Sequence, residues 1–260
     1  MGKIVAVANQ KGGVGKTTTA INLSAAVAEQ GKKVLLIDID PQGNATSGLG
    51  TDRRTTEKTI YDVLINDAKL EDVIIHTPFV NLDLCPSGIS LAGAEIELVY
   101  LENREYKLKE AVATVADNYD FIFIDCPPSL GLVTLNALTC TQTILIPIQC
   151  EYYALEGVSQ LTKTIKQIKK SLNATLEIEG VLLTMLDART NLGIQVVEEV
   201  KRFFPGKVYA TIIPRNVRLS EAPSYGQPIT VYDKTSRGAE TYTALAEEFL
   251  MLQEDEEIGV

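Results

Sequence analysis

The 260-residue sequence has no tryptophan and only 6% aromatic residues, and its other absences narrow the field further. No apolar run approaches the roughly 20 residues needed to span a bilayer. Met1-Gly2-Lys3 passes directly into Ile4-Val5-Ala6-Val7-Ala8, which reads as a first strand rather than a secretory signal. Gly2 makes no myristoylation site, because Ala6 stands where serine or threonine is required. The four cysteines, Cys85, Cys126, Cys140 and Cys150, are scattered and form no Cys-x-x-Cys pair. That argues against a zinc or iron–sulfur site and fits reduced thiols packed in a core. There is no repeat, no low-complexity segment and no Pro/Gly-rich linker. A single domain over residues 1–250 is expected, followed by a short acidic tail, 251–260. Positive charge is scarce too, and the net charge of −10 by itself opposes a nucleic-acid partner.

The charge is uneven, however. Between Lys201 and Arg237 seven bases (Lys201, Arg202, Lys207, Arg215, Arg218, Lys234, Arg237) stand against two acids, Glu221 and Asp233. From Glu247 onward there are six acids and no base. A local basic surface on an acidic protein is compatible with this distribution.

What is present is an alternation of apolar runs and helical periodicity. Strands are expected at Ile4–Ala8, Val34–Ile39, Leu82–Cys85, Phe121–Ile124, Thr143–Ile148, Glu179–Thr184, Val208–Ile213 and Ile229–Tyr232. Several are continuous Val/Ile/Leu runs, as in parallel strands buried on both faces. Helices are expected at Thr17–Gln30, Leu91–Tyr100, Lys107–Asp117, Leu132–Thr139, Leu155–Ser171, Leu192–Phe203 and Ala239–Leu250. Repeated β-then-α order implies an α/β fold, a doubly wound, mostly parallel sheet with helices on both faces.

The stretch from Asn9 to Thr18, NQKGGVGKTT, lies between the first strand and the first helix, the context a phosphate-binding loop requires. Gly12, Gly13 and Gly15, with Val14 between them, permit backbone angles that turn N–H groups toward phosphate oxygens, and the helix N-terminus adds its positive end. Lys16 is expected to reach the β/γ oxygens, Thr17 to offer its hydroxyl to Mg2+, and Thr18 to follow in the helix's first turn. Two features depart from the ordinary loop: Gln10 replaces its first glycine, and Lys11 is an additional lysine.

Two aspartate sites accompany the loop. Val34-Leu35-Leu36-Ile37-Asp38-Ile39-Asp40 places Asp38 and Asp40 on one face at a strand's carboxyl end, where such sheets bind ligands. Phe121-Ile122-Phe123-Ile124 ends likewise in Asp125, a candidate to hold Mg2+ through its waters.

The stretches QKGGVGKTTTAINL, DIDPQGNATSGLG, FIDCPPSLG, CEYYALEG, GVLLTMLDARTN and IIPRNVRLSEAPSYGQPI together resemble the ParA-type chromosome-partitioning ATPases, specifically the short Soj-like branch. The first three are shared by all deviant Walker A ATPases, including MinD and the nitrogenase iron protein; the later ones narrow the resemblance. It implies that two subunits sandwich two ATP molecules, with Lys11 reaching across to the partner's phosphates much as an arginine finger does. By the same resemblance Asp40 orients the attacking water, Asp38 and Asp125 support the Mg2+ shell, and Pro214 and Asn216 contact the adenine. It further implies an ATP-dependent homodimer that binds double-stranded DNA without sequence preference. Hydrolysis is then stimulated by a ParB-type centromere-binding protein, at a cytoplasmic, nucleoid-associated location.

For DNA, the matching ARTN and NVRLSEAP stretches single out Arg189 and Arg218, followed by Lys201 and Arg202, as phosphate contacts. No helix-turn-helix extension precedes the loop, so operator binding is not expected. A MinD-like membrane ATPase needs a basic amphipathic C-terminal helix, whereas LQEDEEIGV is acidic, so no membrane partner is expected. A metal-cluster carrier needs paired or bridging cysteines, and an ATP-dependent metabolic enzyme of the same fold leaves the PRNVRLSEAP region without a role.

Overall fold

A computed structural model gives the fold; the described residues are 2–151, 154–187 and 191–258. The strands are β1 (Lys3–Val7), β2 (Val34–Asp38), β3 (Ile75–His76), β4 (Leu82–Cys85), β5 (Phe121–Asp125), β6 (Thr143–Gln149), β7 (Glu177–Leu186) and β8 (Ile213–Pro214). The early helices are α1 (Lys16–Glu29), α2 (Asn44–Gly48), α3 (Ile60–Ile65), α4 (Leu91–Glu97), α5 (Lys107–Ala113) and α6 (Leu132–Cys140). The later ones are α7 (Ala154–Ser171), α8 (Asn191–Phe203), α9 (Val217–Glu221), α10 (Ile229–Tyr232) and α11 (Arg237–Ile258).

Among the described residues one eight-stranded sheet runs in the order β3-β4-β2-β5-β1-β6-β7-β8, parallel except for the β3–β4 pair. The expected architecture is therefore present. Successive side chains of a strand face opposite ways, so each central strand serves two cores. Ile4, Ala6, Leu35, Ile37, Ile122 and Ile124 belong to one buried cluster. Val5, Val7, Val34, Leu36, Phe121 and Phe123 belong to the other, with residues of α1 and α11. This double burial is why the strands read as unbroken apolar runs. At the end of α1, Gly31 adopts φ +85° and its N–H returns to the Ala28 carbonyl, as a left-handed helix terminator does. All four cysteines are free and buried.

Three expectations need correcting. Ile229–Tyr232 is not a strand but the short helix α10, opened by Pro228 and fixed where Ile229 N–H donates to Asn22 Oδ1 at 2.7 Å. Pro228 supplies a φ of −60°, and packing on α1 overrides the strand propensity of ITVY. Val208–Ile213 is not a continuous strand; it contributes one bridge, Val208 to Val181, before β8. Between them the carboxylate of Glu248 on α11 accepts from Ala210 N–H (2.6 Å) and Thr211 N–H (2.8 Å), replacing a neighbouring strand. The last helix, expected to end at Leu250, runs to Ile258. Its continuation is anchored by Gln253, which is buried and donates to Glu179 Oε1 at 2.7 Å. Among the described residues no helix is long and apolar enough to cross a membrane.

Candidate nucleotide site

The carboxyl ends of β1, β2 and β5 converge because these strands are neighbours: β1 and β2 each pair with β5, and Asp38 lies in register with Asp125. The loop between β1 and α1 is pinned from both sides. Asn9 accepts from Lys11 N–H at 3.0 Å and donates to the Pro147 carbonyl at 2.7 Å. Thr184 Oγ1 donates to the Val14 carbonyl at 2.8 Å. Gly13 (φ +72°) and Gly15 (φ +87°) take left-handed angles that a side chain disfavours, and Gly15 caps α1. Nothing crowds the space a Cβ would occupy at Gly12.

The two lysines are placed differently. Lys16, the first residue of α1, is buried and donates to the Lys11 carbonyl at 3.1 Å. Burial lowers its pKa, opposed by the charges of Asp125, Cys126 and Asp40. Lys11 is half-buried at the rim, its Nζ 3.9 Å from the carboxylate of Glu151.

Two contiguous cavities meet on the loop. One, of about 530 Å3, is lined by Gly12, Gly13, Lys16, Thr17, Thr18 and Asp40, among others. The other, of about 450 Å3, reaches from Gly15 and Thr18 to Pro214, Asn216 and Tyr242. Gly15, Thr17, Thr18, Asn44 and Met185 border both. Such a shape suits a polyphosphate in the first and an attached ring in the second.

The three aspartates have distinct environments. Asp38 is fully buried, yet Oδ1 accepts from Asp40 N–H (3.0 Å) and Oδ2 from Thr46 N–H (2.8 Å) and Thr46 Oγ1 (2.7 Å). Burial raises its pKa to about 6, against the lowering effect of those bonds, and the charge of Asp40 adds to the rise. Asp125 is equally buried, but neither oxygen makes a hydrogen bond. Burial first, then the charge of Asp38, hold its carboxyl well above the usual range. The Thr17 hydroxyl stands close enough to oppose the shift without the alignment of a bond, and Lys16 opposes it too. A buried carboxylate without partners is costly, and a cation is the group that fits it. Among the described residues no cluster of three acidic, histidine or cysteine side chains can hold a metal unaided. Mg2+ is commonly held by one or two carboxylates together with substrate phosphates, and Thr17 with Asp125 fits that arrangement. Asp40 borders the cavity, and its Oδ1 accepts from Gln42 N–H at 2.9 Å.

A family model described as an AAA domain matches residues 2–178. At 64% identity the chain is similar to the protein named sporulation initiation inhibitor protein Soj of Bacillus subtilis (strain 168), over 95% of this chain and 98% of that one. The chain belongs to the ParA/Soj family of chromosome-partitioning ATPases. Within that family it is 53% identical to the chromosome partitioning protein ParA of Myxococcus xanthus (strain DK1622), across 96% of this chain and 88% of that protein. Among solved structures it is similar to cobyrinic acid a,c-diamide synthase from Mycobacterium smegmatis with bound ADP and magnesium. The TM-score is 0.86 at 37% identity, covering 100% and 97% of the two chains.

The remaining expected residues are spread out. Pro214 ends β8, and Asn216 caps α9, its Oδ1 accepting from Arg218 N–H at 2.8 Å. The cap takes one lone pair of Oδ1 and leaves the Asn216 amide nitrogen uncommitted, so the amide can still meet a base while the cap holds. Arg218 is already paired, with Glu221 at 2.9 Å and Asp233 at 3.4 Å. Lys201 and Arg202 are exposed in the last turn of α8. Arg189 lies outside the described residues. Sequence reasoning passed over Asn9, Asn44, Thr184, Met185 and Tyr242, which shape the loop or the cavities. Met185 holds φ +54°, unusual for a side chain of its size, and no local signal announces it.

Proposed function

We propose that this chain is an Mg2+-dependent, ATP-hydrolysing DNA-partitioning protein in which ATP binding drives a sandwich dimer. The observation that carries the reading is the division of labour between the two loop lysines. Lys16 lines the phosphate cavity beside Asp125 and Asp40, whereas Lys11 stands at its rim on a weak surface ion pair. A cation held outside its own cavity is suited to the phosphates of a second subunit, and an exposed pair with Glu151 costs little to release.

Lys16 binds the β/γ oxygens, and the N–H groups of Gly12–Thr18 turn toward the phosphates. Thr17 and Asp125 would hold the cation, with Asp38 supporting the shell from its remaining lone pair. When bound, Mg2+ would supply positive charge against that developing on the phosphates during transfer. Asp40 orients the attacking water. Its work is orientation rather than full proton abstraction, as suits an ordinary carboxylate. Pro214 and Asn216 border the adenine.

Assembly of two subunits doubles the exposed Lys201–Arg202 pair, offering non-specific, salt-sensitive contacts to DNA phosphates. Arg218 joins them on release from Glu221 and Asp233, and Arg189 is assigned on its sequence alone. A ParB-type partner stimulates hydrolysis and so releases the DNA, in the cytoplasm on the nucleoid. The end of α11 carries the exposed acids Glu254 and Asp255, which disfavours an anionic membrane as partner.

The test is phosphate release from Mg-ATP by the chain alone, with duplex DNA, and with DNA plus a ParB-type protein. Slow basal release that rises only with both additions is expected. An unchanged rate across all three would contradict the partitioning role.

A further inference from the structure

Two buried hydroxyls stand next to the site without facing it. Thr46, in α2, and Ser87, just beyond β4, are both 0% exposed, and neither lines either cavity. Each is fully bonded. Ser87 N–H donates to Thr46 Oγ1 at 2.9 Å, and Thr46 Oγ1 donates to Asp38 Oδ2 at 2.7 Å. Ser87 Oγ donates to the Asp40 carbonyl at 2.7 Å, and Asp40 N–H returns to Asp38 Oδ1 at 3.0 Å. The four residues close a ring that joins the ends of two neighbouring strands, β2 and β4.

The ring determines one residue completely. The Asp40 carbonyl accepts from both Ser87 Oγ and Gly43 N–H (2.8 Å), which uses its two lone pairs. Its N–H is held by Asp38, and its own Oδ1 by Gln42 N–H. With main chain and carboxylate both tied, Asp40 has one orientation, although it sits in a loop past the end of β2. Orientation is what a water-positioning carboxylate needs, and small misplacements of such groups are expensive.

We propose that Thr46 and Ser87 are positioning residues for Asp40: they fix the aspartate's aim without touching nucleotide. The inference rests on the hydrolytic reading above for its kinetic consequence, but the anchoring itself is open to measurement without ATP. Hydrolysis then depends on two hydroxyls that no phosphate-loop pattern includes, one of them 47 residues along the chain from Asp40.

The experiment compares wild type with Ser87→Ala, Thr46→Val and Thr46→Ser. Valine keeps the shape of threonine and loses the hydroxyl; serine keeps the hydroxyl. Hydrogen exchange is followed first, on nucleotide-free protein, over the peptide spanning residues 39–47. Ser87→Ala and Thr46→Val are expected to exchange about tenfold faster there, with the rest of the sheet unchanged and Thr46→Ser close to wild type. Affinity for a fluorescent ATP analogue and steady-state hydrolysis follow. Nucleotide affinity and KM are expected to hold within about threefold while kcat falls roughly ten- to a hundredfold, with Thr46→Ser restoring it. Unchanged exchange over 39–47 in both hydroxyl deletions overturns the proposal whatever the kinetics show. So does a parallel loss of binding and kcat, or a Thr46→Ser as slow as Thr46→Val. A wild-type protein that releases no phosphate under any condition refutes the ATPase reading instead, and the exchange result still decides the anchor.

Discussion

The ends of β2 and β5 make the most instructive comparison in the molecule. Asp38 and Asp125 face each other in register on adjacent strands, and both are entirely buried. Asp38 accepts three hydrogen bonds from its own chain, while Asp125 accepts none. One strand end is finished by the fold. The other is left with a cost that a proton or a cation relieves, and Lys16 and Thr17 are the groups beside it. The same residue type at equivalent positions thus does two jobs, and the hydrogen-bond count separates them.

The largest expected effect comes from removing the cation nearest Asp125. Lys16→Ala is expected to lower ATP affinity by about 2–5 kcal/mol, roughly thirtyfold to several thousandfold, as for loss of one partner from a buried charge pair. Equilibrium titration with a fluorescent analogue measures it, and unchanged affinity removes Lys16 from the role.

The comparison is broken most cleanly by substituting each aspartate with its amide. In nucleotide-free protein Asp125→Asn is expected to gain stability, by about 1–3 kcal/mol, because a carboxyl that must be buried either as an unpartnered charge or with a proton taken up gives way to a neutral amide. Asp38→Asn is expected to lose a similar amount, since an amide nitrogen cannot accept the Thr46 donors. Urea unfolding reads both, and shifts of the same sign would erase the distinction. A pH series adds a check. Both carboxyls hold pKa values above 3.8 when folded, Asp38 at about 6. The folded protein then binds more protons than the unfolded one, so stability falls as pH rises from about 4 through 6. Asp125→Asn should flatten that fall.

A third aspartate sharpens the contrast with a smaller effect. Asp83, on β4 next to β2, is paired by the fold like Asp38, but at the sheet's periphery. It accepts from Tyr119 OH at 2.8 Å and lies 2.8 Å from Nδ1 of His76, its cross-strand neighbour. That hydrogen bond raises the pKa of His76 above 6.5. The contribution is present below pH 6.5 and is lost as pH rises through the folded value. The chain has one histidine, so a single imidazole resonance reports it by NMR. Asp83→Asn should return that titration to the ordinary range.

How much of this was legible in the sequence follows from how local each feature is. The strand, glycine loop and helix from Lys3 to Glu29 are written in consecutive residues, as are the acids that close β2 and β5. The start of α3 was legible too, and was passed over: Thr59 and Asp62 form a reciprocal capping box. What escaped depends on distant partners. Asn9 reaches Pro147, Thr46 meets Ser87, and Glu248 completes the edge at Ala210 and Thr211. No local pattern encodes those pairings. The basic count between Lys201 and Arg237 likewise could not show that Arg218 is held by Glu221 and Asp233. Nor could it show that Asn216 accepts from Arg218 N–H as a helix cap.

The dimer switch itself is tested most directly by sedimentation of Asp40→Ala, which should retain ATP, with Mg-ATP or Mg-ADP and two unrelated DNA duplexes. With ATP the variant is expected to sediment as a dimer and to carry either duplex equally, losing both as salt rises. With ADP it is expected to remain a monomer free of DNA. A monomer in ATP, or DNA binding that ignores the nucleotide, would contradict the switch.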